Sequence, residues 1–149
     1  MLNATKISIH VRNLCRIHTR IEKILACIDC EHDSINQLQN KVSEVHEQLK
    51  NIATPIVSEY IIVMRALESW TGADGQALKS YLGVPARIQG IKEDNPRPKE
   101  TLIRLFWKHR KRDFVETRDN PELAKIVSLN VLRTRNKSFA LFQEKVIDP

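Results

Sequence analysis

The sequence predicts an all-α protein in which a long parallel coiled-coil oligomerisation stalk precedes a small helical C-terminal domain. Three observations carry this prediction. Every seventh residue from Ile7 to Trp70 is apolar, prolines and glycines cluster over 83–98, and the segment after that cluster has helical periodicity. We therefore divide the chain into a stalk over 5–53, an apolar helix and a short helix over 54–83, a linker over 84–98, and a basic helical domain over 99–149.

The stalk is defined by a heptad repeat, in which the apolar a positions are accompanied by mostly apolar d positions three residues later. Such a repeat makes helices supercoil left-handedly to keep the apolar seam buried. We expect one continuous helix through residues 27–34, because the a positions stay in phase there. The alternative is a break or hairpin, since Ser34 and Gln37 have the form of a helix-starting capping box. The expected seam residues are Ile7, Leu14, Ile17, Ile21, Ile24, Ile28, Ile35, Leu38, Val42, Val45, Leu49 and Ile52.

The residue types at a and d also bear on the number of chains. Leu at a followed by Ile at d, as in Leu14 with Ile17 and in Leu49 with Ile52, favours three or four strands over two. The flanking positions lack the opposite-charge pairs that select dimers. The first expectation is therefore a homotetramer, and the second is a trimer.

The segment after the stalk is expected to be helical and buried. Thr54-Pro55 indicates a helix start, because proline is favoured at the first helical position. Residues 56–70 are apolar nearly all round, which is typical of a buried helix, and we expect this helix to pack on the C-terminal domain. A short helix is predicted from Ala73 to Leu82, ending at Gly83.

The basic domain opens with a predicted helix over 99–112. Its apolar face carries Leu102, Leu105 and Phe106, and its opposite face carries a stripe of Arg104, Lys108 and Lys111. We expect Ile103 and Trp107 to lie beside the apolar face, with the aromatic rings in the core.

A second helix of the basic domain is predicted to start at Asp119-Asn120-Pro121-Glu122, which combines a cap, a proline and an acid. From Ser128 onward we favour further helix. Alternating apolar residues also fit a terminal β-hairpin, which is the alternative for this segment.

Charge is concentrated in the same domain. Residues 99–137 carry 11 basic and 5 acidic side chains, a surplus equal to the formal charge of +6 of the whole chain. Such a local surplus of positive charge favours binding to nucleic acid or nucleoprotein. The alternatives are that these charges bind an acidic protein surface or only keep the domain soluble. The candidate binding residues are Arg104, Lys108, Arg110, Lys111, Arg112, Arg118, Arg133, Arg135 and Lys137.

No pattern in the sequence predicts catalysis. The four glycines form no phosphate loop, and no Ser, Cys or His lies in a nucleophile pattern, so we expect no enzyme, no cofactor and no small-molecule substrate. Cys27-x-x-Cys30-x-His32 is only half of a zinc site, and we expect no metal. The start of the chain lacks an apolar signal-peptide core and no long apolar run follows, which predicts an intracellular, cytoplasmic or nuclear protein without membrane contact.

An oligomeric stalk followed by a small basic helical domain resembles, in layout alone, the phosphoproteins that serve as polymerase cofactors in negative-strand RNA viruses. This resemblance transfers no residue roles. The predicted function is a non-enzymatic homo-oligomeric adaptor, in which the coiled coil multiplies a weak C-terminal site and so binds a polymeric partner with avidity. The alternative is a subunit of a cytoskeletal, trafficking or assembly complex whose coiled coil pairs with another chain.

Overall fold

A computed structural model describes residues 23–30 and 57–147 continuously, together with ten single positions, namely 9, 13, 14, 17, 36, 37, 39, 40, 43 and 47. The chain divides into two compact units, Met1–Ile62 and Val63–Pro149. The described residues are mostly helical, which confirms the predicted all-α character in its coarse form.

The first unit contains a strand where the sequence predicts helix. Strand β1 covers Lys23–Cys30 and pairs with strand β2, Val57–Met64, in a two-stranded sheet. The prediction of a continuous helix through residues 27–34 is therefore wrong. The sequence of this segment fits a strand as well as a helix. Ile24, Ala26 and Ile28 are apolar at every second position, as in a strand, and Ile28 is also an a position of the heptad.

The expected seam residues have three outcomes. Leu14 and Ile17 lie in helical conformation and are exposed, by 44% and 72% respectively. Ile24 and Ile28 lie on β1, so they cannot be knobs of a continuous helix. The other eight seam residues lie outside the described residues; they are Ile7, Ile21, Ile35, Leu38, Val42, Val45, Leu49 and Ile52. The predicted helix start at Thr54-Pro55 also lies outside them.

The predicted apolar helix over 56–70 is also wrong. Strand β2 occupies Val57–Met64, and only the short helix α1, Glu68–Thr71, follows it. The β-branched residues of 57–63 favour a strand, and an unbroken apolar run is as typical of a buried strand as of a buried helix. Ile61 and Val63, two residues apart, are both fully buried. Arg65 ends the run with a backbone φ of 68°.

Five further helices complete the described part of the second unit. They are α2 (Gly75–Leu82), α3 (Pro98–Arg110), α4 (Glu116–Ile126), α5 (Leu129–Arg135) and α6 (Lys137–Ile147). The predicted short helix before Gly83 is confirmed as α2. The side chain of Asp74 accepts hydrogen bonds from the backbone N–H groups of Gln76 and Ala77, and Gly83 ends the helix with a φ of 62°.

The C-terminal helices settle two further expectations. Helix α4 begins at Glu116, so Pro121 lies inside the helix and the predicted start at Asp119 is wrong. Asp119 instead lies in the first turn of α4, where its carboxylate accepts from the backbone N–H of Val115, the residue before the helix. Residues after Ser128 form helices α5 and α6, which confirms the helical prediction and excludes the hairpin in this segment.

The core of the second unit consists of two buried clusters. The first cluster comprises Leu78, Leu82, Ile88, Ile91, Leu102, Phe106, Phe114 and Leu123. The second cluster comprises Val63, Trp70, Ala73, Leu132 and Phe139. In the first cluster the rings of Phe106 and Phe114 meet edge to face at 5.1 Å between centroids. Helix α3 is therefore anchored by Phe106 and Leu102, which leaves its opposite side to solvent.

Candidate nucleic-acid interface

Helix α3 is the element that carries the predicted basic stripe. Pro98 lies at its start, and the backbone N–H of Lys111, in the left-handed conformation, closes it by donating to the Trp107 carbonyl. Leu102 and Phe106 are fully buried, as predicted from the spacing of apolar residues. The fixed inner face determines which side chains of α3 reach solvent.

The outer face of α3 combines cations with an aromatic ring. Arg104 and Lys108 on α3 are exposed, as predicted, and Lys111 is exposed just after the helix, which ends at Arg110 and not at Arg112 as predicted. Trp107, expected beside the core, is instead 58% exposed, and Ile103 is also exposed. Successive side chains on a helix are about 100° apart, so Trp107 points well away from Phe106. On the narrow inner face of α3, only Leu102 and Phe106 are fully buried. We call Arg104, Trp107, Lys108 and Lys111 the α3 face.

Two of the predicted binding arginines hold the fold together. Asp119 is fully buried and accepts paired hydrogen bonds from Arg112, at 2.8 and 3.0 Å, and from Arg118, at 3.1 and 3.2 Å. The Tyr81 hydroxyl and the Val115 backbone N–H also donate to it, at 2.9 and 2.7 Å. Burial alone would raise the pKa of Asp119, but these hydrogen bonds outweigh burial and hold the pKa well below its usual range.

The remaining predicted cations divide between backbone contacts and open surface. Arg110 reaches the Tyr81 carbonyl at 3.4 Å, and Arg135 donates to the Ala73 carbonyl at 2.9 Å. Arg133 on α5 and Lys137 on α6 are exposed. Of the nine predicted residues, the structure thus places Arg104 and Lys108 on the exposed side of α3 beside Trp107, with Lys111 exposed at the residue that closes the helix.

A cleft of about 730 Å³ lies beside α3, between this helix and the loop over 86–96. We call it the α3 cleft. The loop contributes Arg87, Lys92 and Asp94, and the helix contributes Lys108 and His109. A second cleft of about 700 Å³ is lined by the start of α2, by part of α5 and by loop residues that again include Arg87.

The loop that forms the α3 cleft is held by backbone contacts. The Ile91 N–H donates to the Gly72 carbonyl at 2.7 Å. The backbone of Gly90 passes so close to Ala73 that a Cβ atom at Gly90 would lie 1.8 Å from the Ala73 carbonyl oxygen. Farther along the loop, the Glu93 carboxylate accepts from the backbone N–H groups of Lys137 and Ser138 at the start of α6. The position of Arg87 and Lys92 is therefore fixed by the packing of this loop.

The loop cations Arg87 and Lys92 were absent from the sequence-based binding set. They lie in the linker over 84–98, outside the segment that holds the charge surplus, and no local pattern joins them to Lys108. Only the fold brings the linker beside α3.

Neither a metal-holding group of side chains nor a membrane-spanning helix is present in the part of the chain that the structure describes. There, no group of three or more His, Cys, Asp or Glu residues could hold a metal ion, and Cys27 and Cys30 lie on strand β1. No helix in the described ranges has the length and apolar character needed to cross a membrane.

The comparisons with known proteins add no identification. No protein family, curated protein or solved structure matches this chain.

Proposed function

We propose that this chain is a non-enzymatic, self-associating adaptor whose α3 face binds single-stranded nucleic acid. The observation that carries the proposal is the exposure of Trp107 among Arg104, Lys108 and Lys111. An indole that is 58% exposed gains little from the core of its own domain, but it offers a flat surface for a base.

The two components of the α3 face have different roles. Lysine and arginine side chains attract the phosphate backbone and release its counterions, which gives an affinity that falls with salt and depends little on sequence. Stacking of a base on an aromatic ring contributes about 1–3 kcal/mol and requires an unpaired base. The combination favours single strands over duplexes, because a duplex keeps its bases away from Trp107.

The charges of the α3 face can be tested by reversal. Changing Arg104, Lys108 and Lys111 together to Glu should weaken binding to single-stranded RNA and DNA of every sequence alike. The slope of log affinity against log salt should flatten by about 0.7 for each phosphate contact that is lost. The measurement is a titration against labelled oligonucleotides at several salt concentrations.

A charge-matched control separates a local site from total charge. Lys79, Lys125 and Arg133 are cations of the same unit that lie outside the α3 face. Changing these three to Glu should leave most of the binding intact. The nucleic-acid proposal fails if the unmodified protein does not bind at low salt, or if both triple variants lose the same affinity.

Self-association is the second part of the proposal. Leu14 and Ile17 occupy an a and a d position of the heptad, lie in helical conformation, and are exposed within one chain. Burial of such side chains against a second copy would contribute about 1.5–3 kcal/mol each. Because β1 interrupts the repeat, we propose that the heptads before β1 form the contact. A homotetramer remains the first expectation and a trimer the second, with avidity for a polymeric partner as the result.

The contact can be tested with seam and control substitutions. The double variant Leu14→Gln, Ile17→Gln should dissociate at concentrations where the unmodified chain is oligomeric, as measured by sedimentation velocity. Ile9→Gln is the matched control, because Ile9 is exposed and helical but lies off the seam at position c. An unmodified chain that sediments as a monomer would instead favour pairing with another protein.

A further inference from the structure

The geometry points to the α3 cleft as a phosphate-binding site for the same single strand, which therefore crosses α3 from Trp107 into the cleft. This inference rests on the proposed function, since it uses the strand that the α3 face binds. It adds a second contact, with residues of the 86–96 loop that the sequence-based set lacks.

The charges of the α3 cleft favour an anion. Arg87, Lys92 and Lys108 line it, with Asp94 as the single carboxylate among its lining residues. Among the residues that the structure describes, the side chains of these three cations make no hydrogen bond or ion pair. By contrast, Arg112 and Arg118 are already engaged by Asp119. The three cleft cations therefore keep their full hydrogen-bonding capacity for a phosphate group, whose oxygens accept such bonds well.

The cleft also has a preformed wall. Thr101 lines it from α3, and its hydroxyl donates to the Arg97 carbonyl at 2.8 Å while accepting from the Asn95 amide at 3.2 Å. These bonds tie the end of the loop to the first turn of α3. A phosphate would therefore enter a cleft whose shape exists before binding, which lowers the entropic cost of binding.

The position of the cleft relative to Trp107 defines the path of the strand. At about 100° per residue, the side chains of Trp107, Arg104, Lys108 and Thr101 follow one another around roughly a third of the circumference of α3. On a helix of about 10–12 Å diameter this arc is roughly 11 Å long. A base stacked on Trp107 and a phosphate in the cleft would therefore belong to the same short segment of strand, with Arg104 and Lys108 between them.

The test removes the loop cations and leaves the α3 face unchanged. The double variant Arg87→Gln, Lys92→Gln should bind a single-stranded ten-nucleotide DNA about tenfold more weakly at low salt, and its salt slope should flatten by about 1.4. The matched control is Lys79→Gln, Lys125→Gln, which removes the same charge from the second unit outside the cleft. Because Arg87 and Lys92 make no side-chain bonds in the described structure, the variant should keep its thermal unfolding midpoint.

A second measurement uses inorganic phosphate without nucleic acid. The backbone amide signals of Thr101 and Lys108 should shift on titration with phosphate in nuclear magnetic resonance spectra, and Arg87→Gln, Lys92→Gln should abolish the shifts.

The outcomes separate this inference from the proposed function. If the loop variant binds the oligonucleotide like the unmodified chain while the triple Glu variant of the α3 face does not, the cleft inference is wrong and the proposed function stands. If phosphate shifts the cleft signals but no oligonucleotide binds, the strand path and the proposed function are both wrong, and the cleft is a site for small anions. Without phosphate shifts and without an effect of the loop variant, the cleft binds no phosphate.

Discussion

The Asp119→Asn variant is expected to lose about 3 kcal/mol of folding stability, since removal of one partner from a buried ion pair typically costs 3–5 kcal/mol. Asp119 is fully buried, and its carboxylate joins Arg112, Arg118, Tyr81 and the Val115 backbone. An amide of the same shape can accept on one side only, so several of these donors would lose their partner. We place the cost at the low end of that range because both arginines reach solvent and can rehydrate.

The measurement is chemical denaturation followed by circular dichroism, with Glu122→Gln as the control. Glu122 lies on the same helix, α4, and its ion pair with Lys125 is exposed. Surface pairs of this kind contribute about 0–1 kcal/mol, so the control should unfold close to the unmodified chain. Equal stability of the Asp119→Asn variant and the unmodified chain would contradict the role of the buried carboxylate.

The same carboxylate predicts an acid dependence of stability. The pKa of Asp119 is lowered on folding, so its contribution is fully present above the pKa of the unfolded chain, about 3.9 for aspartate. The contribution is lost as the pH falls from that value toward the lower pKa of the folded state. The unmodified chain should therefore lose stability below about pH 4, and the Asp119→Asn variant should lose less over the same interval, as measured by denaturation at stepped pH values.

Helices α2 and α3 are the elements that the sequence predicts best, because their signals are local. The predicted end of α2 at Gly83 is confirmed, since Gly83 adopts a left-handed conformation, and the predicted start at Ala73 lies two residues before the observed start at Gly75. The inner face of α3 follows from the spacing of Leu102 and Phe106. Each of these signals acts within a few turns of chain, so no knowledge of the tertiary fold is needed.

The strands were missed because their pairing is not local. Residues 23–30 pair with residues 57–64, and the hydrogen bonds between these two strands cannot be predicted from the sequence of either segment alone. Ile24 and Ile28 satisfy the heptad and an alternating pattern at once, since both patterns place apolar residues four apart. The heptad phase therefore cannot distinguish a helix from a strand over so short a run.

The candidate site was predicted in part for a related reason. The basic stripe of α3 follows from helical spacing, but the role of Arg112 and Arg118 depends on Asp119 and on Tyr81, which lies 38 residues before it. Charge counting treats all of these arginines as equal. Only the fold shows which of them neutralise a buried carboxylate and which remain on the surface, and only the fold adds Arg87 and Lys92 to Lys108.

The Gly90→Ala variant is expected to be at least as destabilised as Asp119→Asn and to lose the α3 cleft as well. A Cβ atom at this position would lie 1.8 Å from the Ala73 carbonyl oxygen and 2.5 Å from a guanidinium nitrogen of Arg135. The Ala73 carbonyl belongs to the backbone and precedes Asp74, which caps α2, so it cannot easily shift. The loop must therefore move away, which should cost about 3 kcal/mol or more of folding stability.

Gly83→Ala is the matched control for this loop substitution. Gly83 has a φ of 62°, but a Cβ atom there would approach nothing closer than 3.8 Å, so only the left-handed conformation is penalised, by about 1 kcal/mol. Thermal unfolding should therefore order the midpoints as unmodified chain, Gly83→Ala and Gly90→Ala, from highest to lowest. Displacement of the loop should also remove the phosphate-induced shifts of Thr101 and Lys108 in Gly90→Ala, while Gly83→Ala keeps them. A higher melting temperature for Gly90→Ala than for Gly83→Ala would contradict the close packing of the 86–96 loop on the start of α2. It would also contradict the inference that the α3 cleft is formed before binding.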